Sequence, residues 1–392
     1  MWCWHKEWNV LHKVSLLSSR NWIFVIKWSN FREECSQKGG TNDGSCAEGY
    51  GVCCTCKIHS SVLSVSIIIE NRFVLVIGRC GQTIAENNTY FESQGSEGGN
   101  CALKICPCSD NICQLRLDFE TFVITGPSTV TDTIGNSANG MLAATGAATT
   151  NAGRCLTDTF AVTSASTAPP AICGTNSGQH MYVDANQACN DLAFLLGNTA
   201  DGTTLATRSW SIRVTQFDCG SPNLAPSGCV QYFYGAQNDI IQSYNYAGSY
   251  HLADQRQKIC FRREKGNCKI CYSSVSSITD LEISGAIADK QYTKSCCSYK
   301  ADGMGSNYDC LQIPSLLTTK GKQLNFNGNA ICGMGGLSSK SEVVTAANQK
   351  TLCTTKQPFM LNFQTDTFDL KAEADLMNKG FQLAFIQSSS NC

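Results

Sequence analysis

The sequence predicts an all-β fold held together by disulfide bonds. The chain has 25 cysteines in 392 residues, and only 16% of its residues are charged. Short runs of alternating apolar and polar residues recur along it, and this period of two is typical of strands with one buried face. The cysteine density favours an oxidising, extracellular compartment. We therefore expect a secreted protein built from antiparallel β-sandwiches with few helices.

The amino-terminal part is the least regular. Residues 1–34 scatter charged residues through what would be the apolar stretch of a signal peptide, so they stay an unplaced segment with a doubtful start. Residues 35–56 are dense in cysteine and glycine and predict a small disulfide-stapled module. Residues 57–79 form an apolar insert. It is either a long strand or hairpin, or an insertion that the fold does not need.

Two sets of strands follow, over residues 80–218 and 219–392. The first contains the run ICQLRLDFETFVI, in which Leu115, Leu117 and Phe119, then Phe122 and Ile124, form an apolar ladder. The second contains CVQYFYG, KICFRRE, PFMLNFQTD and GFQLAFIQ. Each set places a strand behind a cysteine, then a Cys-Gly pair, then its late strands. This shared order predicts two domains of one architecture.

Four motifs in these sets resemble the CUB domain, a jelly-roll β-sandwich of secreted proteins. They are Leu117-Asp-Phe-Glu-Thr-Phe122, Cys155-Leu-Thr-Asp158, Phe363-Gln-Thr-Asp366 and Gly380-Phe381. The wording is similar to arthropod secreted proteins in which a CUB pair follows a short module ending in GYGVCC. The resemblance implies two CUB-like antiparallel sandwiches, 80–218 and 219–392, behind the cysteine-rich module.

The same resemblance implies disulfides Cys155–Cys173 and Cys310–Cys332. Cys80 is expected to pair with Cys101, Cys106, Cys108 or Cys113, and spacing alone leaves the choice open. Cys229 and Cys260 are further disulfide candidates. Each bridge would contribute about 2–4 kcal/mol, largely by restricting the unfolded chain.

Metal chemistry is a weaker expectation. Some CUB domains bind calcium through one Glu and two Asp side chains, oxygen ligands that suit this cation. Asp158 and Asp366 occupy such positions, but in different copies, and the Glu expected after Phe122 is missing. The alternative to a calcium site is a set of solvated loop carboxylates, which we favour. We expect no cofactor.

No motif of a zinc protease or a serine hydrolase is present, so we expect no enzyme. His180 and His251 are interpreted as half-exposed strand residues rather than catalytic bases. Cys268-Lys-Ile-Cys271 has the spacing of a redox motif but lies in a β-rich, cysteine-dense context. A structural disulfide role is the better interpretation.

Four tyrosines are candidates for a binding surface, although strand alternation turns half of such residues into the core. Asn87, in Asn87-Asn88-Thr89, is a candidate glycosylation site. The four tyrosines are Tyr232, Tyr234, Tyr244 and Tyr246.

Together these patterns favour an extracellular, non-catalytic protein that binds another protein or a glycan. The alternatives are an accessory chain with a protease partner and a structural component of matrix or cuticle. The chain carries 30 basic and 31 acidic residues, so we expect no nucleic-acid partner. The longest uncharged apolar run in the amino-terminal segment is WIFVI, and no run in the chain is long enough to predict a membrane span.

Overall fold

The computed structural model describes most of the chain after residue 76 and only strands before it. The described residues are 16–17, 21–27, 41–46, 51–56, 76–95, 98–129, 153–198, 205–275, 280–283, 297, 309–324, 330–335, 337, 349–365 and 379–390. Two compact units are present, Trp2–Ile77 and Gly78–Cys392. None of the described helices is long and apolar enough to cross a bilayer.

The amino-terminal unit contains one antiparallel sheet in the order β1-β2-β4-β3. Its strands are β1 (Leu16–Leu17), β2 (Asn21–Lys27), β3 (Thr41–Cys46) and β4 (Gly51–Cys56). Strands β3 and β4 fall in the predicted cysteine-rich module. The odd number of cysteines, 25, predicts at least one without a partner in the chain, and the two candidates, Cys3 and Cys56, lie outside the residues whose side chains are described.

A first sandwich follows, made of a four-stranded sheet, β10-β12-β8-β6, and a five-stranded sheet, β11-β9-β13-β7-β5. The strands are β5 (Val76–Gly78), β6 (Thr83–Ile84), β7 (Thr89–Glu92), β8 (Gly99–Ile105), β9 (Ile112–Val123), β10 (Asp158–Val162), β11 (His180–Asp184), β12 (Asn190–Leu196) and β13 (Ser209–Asp218). The end of the predicted insert thus supplies the edge strand β5; its residues 58–75 lie outside the described residues.

The apolar ladder of β9 fills the core of this sandwich. Strand β13 pairs Ile212 with Phe119 and Ser211 with Thr121, which leaves Glu120 as an extra residue. This bulge changes the alternation, so that Phe119 and Phe122 both point inward and are at most 1% exposed. They meet Phe160 of the opposite sheet, at ring distances of 6.0 and 5.5 Å. The predicted strand is confirmed in this detail.

A second sandwich contains a five-stranded sheet, β14-β16-β24-β19-β21, and a sheet ordered β20-β23-β17-β25-β18-β22 with β15 paired to β25. The elements are β14 (Gln231–Phe233), β15 (Asn238–Gln242), the 3-10 helix η1 (Tyr246–Gly248), β16 (Arg256–Phe261), β17 (Lys269–Ser274), β18 (Leu281–Ile283), β19 (Cys310–Gln312), β20 (Leu317–Thr318), β21 (Ala330–Ile331), β22 (Gly333–Met334), β23 (Leu352–Thr354), β24 (Met360–Gln364) and β25 (Gly380–Ser388).

The two sheets of the second sandwich meet through aromatic pairs. Phe261 lies 4.7 Å from Phe385, and Phe363 lies 5.2 Å from Phe381. Almost all strand pairs in both sandwiches are antiparallel. Among the described strands, β6 with β8 and β14 with β16 pair in parallel. The architecture is all-β, as the period-two pattern predicts.

Both sandwiches contain disulfides, and Cys271–Cys353 joins the neighbouring strands β17 and β23. Cys155 bonds to Cys173, the pair that the resemblance implies, and Cys80 bonds to Cys101 among its four candidates. The other bonds are Cys106–Cys189, Cys113–Cys219, Cys229–Cys260, Cys271–Cys353 and Cys297–Cys310. Cys108, Cys268 and Cys332 are also disulfide-bonded.

The implied Cys310–Cys332 pair is wrong, because Cys310 bonds to Cys297. Cys332 is buried in the same small cluster as these two residues but forms its bond elsewhere. The reason lies in the sequence of the second sandwich. It carries the adjacent cysteines Cys296 and Cys297, which have no counterpart in the spacing carried over from the family. Cys271 bonds to Cys353, so the C-x-x-C pair does not close on itself.

Candidate binding site at the joint between the sandwiches

The two sandwiches meet along strand β11 of the first and strand β14 of the second. The amide of Tyr182 donates to the carbonyl of Val230 at 2.7 Å. The amide of Tyr232 donates to Nε2 of His180 at 3.0 Å, and the Tyr244 hydroxyl donates to the His180 carbonyl at 2.9 Å. We call this contact region the joint.

Asn245 strengthens the joint from the loop that follows β15. Its amide donates to Oδ1 of Asn176 at 2.7 Å, and its own Oδ1 accepts from the amide of Thr175 at 2.8 Å. Gly174 permits this approach, since its φ is +78° and a Cβ there would lie 1.9 Å from the Asn245 oxygen. This is the glycine of the Ile-Cys-Gly motif. Its missing side chain therefore serves the packing of one sandwich on the other.

His180 is buried in the joint, with 7% of its surface exposed, so its interpretation as a half-exposed strand residue is wrong. The second sandwich covers a strand that would otherwise have one wet face. Burial lowers the pKa of His180 to about 3, and Arg116 contributes in the same direction. The ring is therefore neutral at physiological pH. Because its Nε2 accepts a hydrogen bond, its proton resides on Nδ1.

A groove of about 460 Å³ opens beside the joint. Its lining is rich in side-chain amides and includes Gln179, Gln231, Gln242 and Gln382. Gln231 is 2% exposed, and among the described residues its Oε1 has no hydrogen-bond donor. A buried carbonyl oxygen without a donor costs free energy in the unliganded protein. That oxygen is buried away from the groove surface, which instead presents the half-buried amides of Gln242 and Gln382.

An exposed apolar pair flanks this groove on the outer face of β15 and β25. Ile240 is 45% exposed and Ile386 is 52% exposed. The register pairs Ile240 with Ala384 and Asn238 with Ile386, so the two isoleucines are diagonal neighbours on one face. The groove and this pair form one continuous surface, because Ile240 also lines the groove.

The tyrosine candidates divide between core and surface. Tyr232 and Tyr244 are 5% and 1% exposed, so their assignment to a binding surface is wrong; both pack inside the joint. Tyr234 is half-buried between two guanidinium groups, those of Arg116 at 5.8 Å and Arg262 at 5.1 Å. Tyr246 is half-buried, and its hydroxyl lies 3.4 Å from Oδ1 of Asp280.

Asp158 is not a solvated loop carboxylate, because it is fully buried at the start of β10. Arg208 binds both of its oxygens, at 2.7 and 2.8 Å, and the amides of Thr125 and Gly197 donate to them as well. Burial raises the pKa of Asp158, but the hydrogen bonds from Arg208 and Thr125 outweigh it and lower the pKa below the ordinary value. The guanidinium of Arg208 therefore neutralises the carboxylate that would bind the cation in a calcium site.

The remaining metal candidate, Asp366, lies outside the described residues. Within them, no group of three or more His, Cys, Asp or Glu side chains is arranged to hold a metal ion. His251 lies in a loop rather than on an exposed strand, and it is fully buried with Nε2 3.5 Å from Oδ2 of Asp309. Burial lowers its pKa, although Asp309 opposes that shift.

Asn87 makes a two-point contact with the backbone of Gln216. Its Nδ2 donates to the Gln216 carbonyl at 3.0 Å, and its Oδ1 accepts from the Gln216 amide at 2.7 Å. The side chain is half-buried and fixes the turn before β7 against β13. Glycosylation at Asn87 stays a prediction.

Sequence reasoning missed the partners that hold these groups. Arg208, Asn245 and Asp309 lie far along the chain from the residues they contact. The Ile-Cys-Gly motif was the one local signal, since a glycine after a bonded cysteine predicts a tight backbone approach.

Comparison with known proteins finds one family match, which lies in the second sandwich. Residues 226–388 match the family model for the animal CUB domain. No curated protein sequence matches the chain significantly. The match supports a CUB-containing protein, and CUB domains are typically non-catalytic modules for extracellular protein interaction.

Several solved structures are similar to the chain at low identity. The CUB1-EGF-CUB2 domains of rat MASP-1 share 12% identity and a TM-score of 0.23, covering 78% of this chain and 99% of that one. The CUB1-EGF-CUB2 domain of human MASP-1/3 shares 10% identity and a TM-score of 0.21, covering 76% of this chain and 98% of that one. The full extracellular region of zebrafish Gpr126/Adgrg6 shares 10% identity and a TM-score of 0.23, covering 80% of this chain and 34% of that one.

Proposed function

We propose that the chain is a secreted, non-catalytic recognition protein of the arthropod tandem-CUB type, and that it binds its partner at the groove beside the joint. The amide-lined groove carries this proposal, since it combines side-chain amides with a flanking pair of exposed isoleucines. Isolated exposed apolar residues are ordinary, but here they border a concave polar site, as in many interaction surfaces.

The partner that fits best is another extracellular protein. Protein interfaces combine apolar contacts with hydrogen-bonding groups, and Ile240 and Ile386 supply the apolar contact beside the glutamines that line the groove. A glycan would rely on stacking against an aromatic face. Of the two tyrosines in the described lining, Tyr232 is buried and Tyr234 already has two guanidinium groups near its ring.

Capture from the extracellular fluid of the source tissue tests the proposal, with the purified full chain as bait and partners identified after cross-linking. Ile240→Arg should reduce recovery of the specific partner at least tenfold, because a charge placed in the apolar pair must be desolvated on binding. Leu195→Arg is the matched control. Leu195 is 58% exposed on β12 of the first sandwich and does not line the groove, so recovery should stay unchanged.

Equal recovery with both variants contradicts the proposal. Binding of the wild type to a glycan array, abolished by Ile240→Arg, would replace the protein partner by a glycan. A captured protease would favour the accessory-chain alternative. Insoluble, cross-linked material in tissue would favour the matrix alternative.

A further inference from the structure

We propose that the joint between the two sandwiches is an acid-sensitive latch, in which His180 holds the second sandwich closed only while its imidazole is neutral. The hydrogen bond from the Tyr232 amide to Nε2 of His180 crosses the joint at 3.0 Å. In this bond the imidazole nitrogen is the acceptor. Protonation puts a hydrogen on that nitrogen, so two donors then face each other and the bond is lost.

The charges around His180 oppose its protonation in the closed joint. Arg116, on the neighbouring strand β9, lowers the pKa of His180, and Asp118 on the same strand raises it less. Asp118 is itself bound by two guanidinium groups, of Arg116 at 2.8 Å and Arg213 at 3.1 Å. These two guanidinium groups largely neutralise the charge of Asp118, so it stabilises a protonated His180 only weakly. The other titratable groups near the ring are Tyr182 on its own strand, Tyr232, Tyr234 and Tyr244 of the second sandwich, and Asp239 in the groove lining.

Aromatic rings also surround the imidazole of His180, and a protonated ring would place its charge against them. Phe233 of β14 meets it edge-on at 4.9 Å, and Tyr182 does so at 5.9 Å. At 7% exposure a positive charge on the ring has little contact with water, and the carboxylate that raises the pKa of His180 is Asp118 of the first sandwich. When the joint opens, the ring enters water and recovers an ordinary pKa near 6.5.

The difference between the pKa of His180 in the closed joint and in the open one sets how strongly acid shifts the opening equilibrium. The pKa of His180 is lower in the closed joint than in the open one, so the open state binds more protons. The closed state keeps its full stability above pH 6.5 and loses it as the pH falls towards 3. Between pH 7.5 and pH 5 the opening equilibrium should shift about 30-fold towards the open state.

Hydrogen exchange of the full chain measures this equilibrium. The probes are the two amides that donate across the joint, those of Tyr182 and Tyr232, and protection factors remove the pH dependence of intrinsic exchange. We expect their protection to fall about 30-fold from pH 7.5 to pH 5, while amides of the β9–β13 ladder keep theirs. In His180→Gln, the Gln Oε1 retains the acceptor without titrating, and joint protection should change less than threefold.

His251→Gln is the matched control, because among the described residues His251 is the other buried histidine, and it lies away from the Tyr232 bond. It should retain the 30-fold loss at the joint. The proposal is overturned if wild-type joint protection is constant within threefold, or if His180→Gln loses as much as the wild type. Should His180→Gln fail to fold, the wild-type ratio of joint to ladder protection decides, and equal losses in both overturn it.

Discussion

Each sandwich buries an aspartate beside a basic side chain where a strand begins, but the two aspartates are neutralised differently. In the first, Asp158 receives a two-pronged contact from Arg208, a group that stays charged at any physiological pH. In the second, Asp309 precedes β19 and faces His251 at 3.5 Å. Burial lowers the pKa of that imidazole, so its charge is available only in acid. Similar architecture thus carries one permanent and one conditional ion pair.

The two sandwiches therefore differ in how their buried ion pairs respond to pH. The first sandwich keeps its buried pair across the physiological range, and its core is a contiguous set of rings in which Phe194 stacks on Trp210 at 4.1 Å. The second carries the buried His251–Asp309 pair, in which the charge of the imidazole changes with pH. Acid therefore acts on the buried pair of the second sandwich more than on that of the first.

Removing the permanent pair should have the largest effect. Arg208→Met leaves the Asp158 carboxylate buried without its counter-charge, and we expect the free energy of unfolding to fall by about 3–5 kcal/mol at pH 7. Denaturant titration measures it. Arg213→Met is the control, because Arg213 is 42% exposed beside Asp118 and its loss should cost less than about 1 kcal/mol. Equal costs for both variants would show that Asp158 does not depend on Arg208.

The conditional pair should appear in the pH dependence of the second sandwich. The pKa of His251 is lowered in the folded state, so its contribution is complete above the ordinary value near 6.5 and declines as the pH falls. Protection of the β19 and β24 amides should decrease several-fold between pH 7.5 and pH 5, and that of the β10 and β12 amides should not. His251→Gln should flatten the difference. A parallel decrease in both sandwiches would remove the contrast.

The smallest effect concerns Glu282, which lies on β18 at 4% exposure with no described donor for Oε2. Burial raises its pKa; Lys379 opposes this shift, while Asp280 adds to it. A raised pKa means that stability is lost as the pH rises through it, so Glu282→Gln should gain roughly 1 kcal/mol at pH 7 and nothing at pH 4.

Glu264 is the control for Glu282, because its pKa is lowered rather than raised. Both variants are compared by denaturant titration at pH 7 and pH 4. It accepts hydrogen bonds from Gly235 and Arg262, which lower its pKa against the opposing effect of burial. Glu264→Gln should therefore lose stability at pH 7. A gain in both variants would mean that general charge reduction, rather than the burial of Glu282, explains the result.

Local patterns predicted the strands well and the contacts between distant residues poorly. The ladder from Leu115 to Ile124 was readable because the apolar residues alternate, and the bulge at Glu120 explains its one irregular step. His180 was misjudged because its strand alternates like any half-exposed strand, and only the packing of another sandwich buries it. No spacing rule links Arg208 to Asp158, which lie 50 residues apart and meet only in the folded chain.

The connection between the sandwiches is anchored at both ends by sulfur. Cys219 is bonded to Cys113 at the start of β9, and Cys229 is bonded to Cys260 on β16. The intervening stretch from Gly220 to Gly228 spans at most about 34 Å when fully extended. A separated pair of sandwiches thus stays tethered at a high mutual effective concentration, and reassembly is a first-order event whose rate does not depend on dilution.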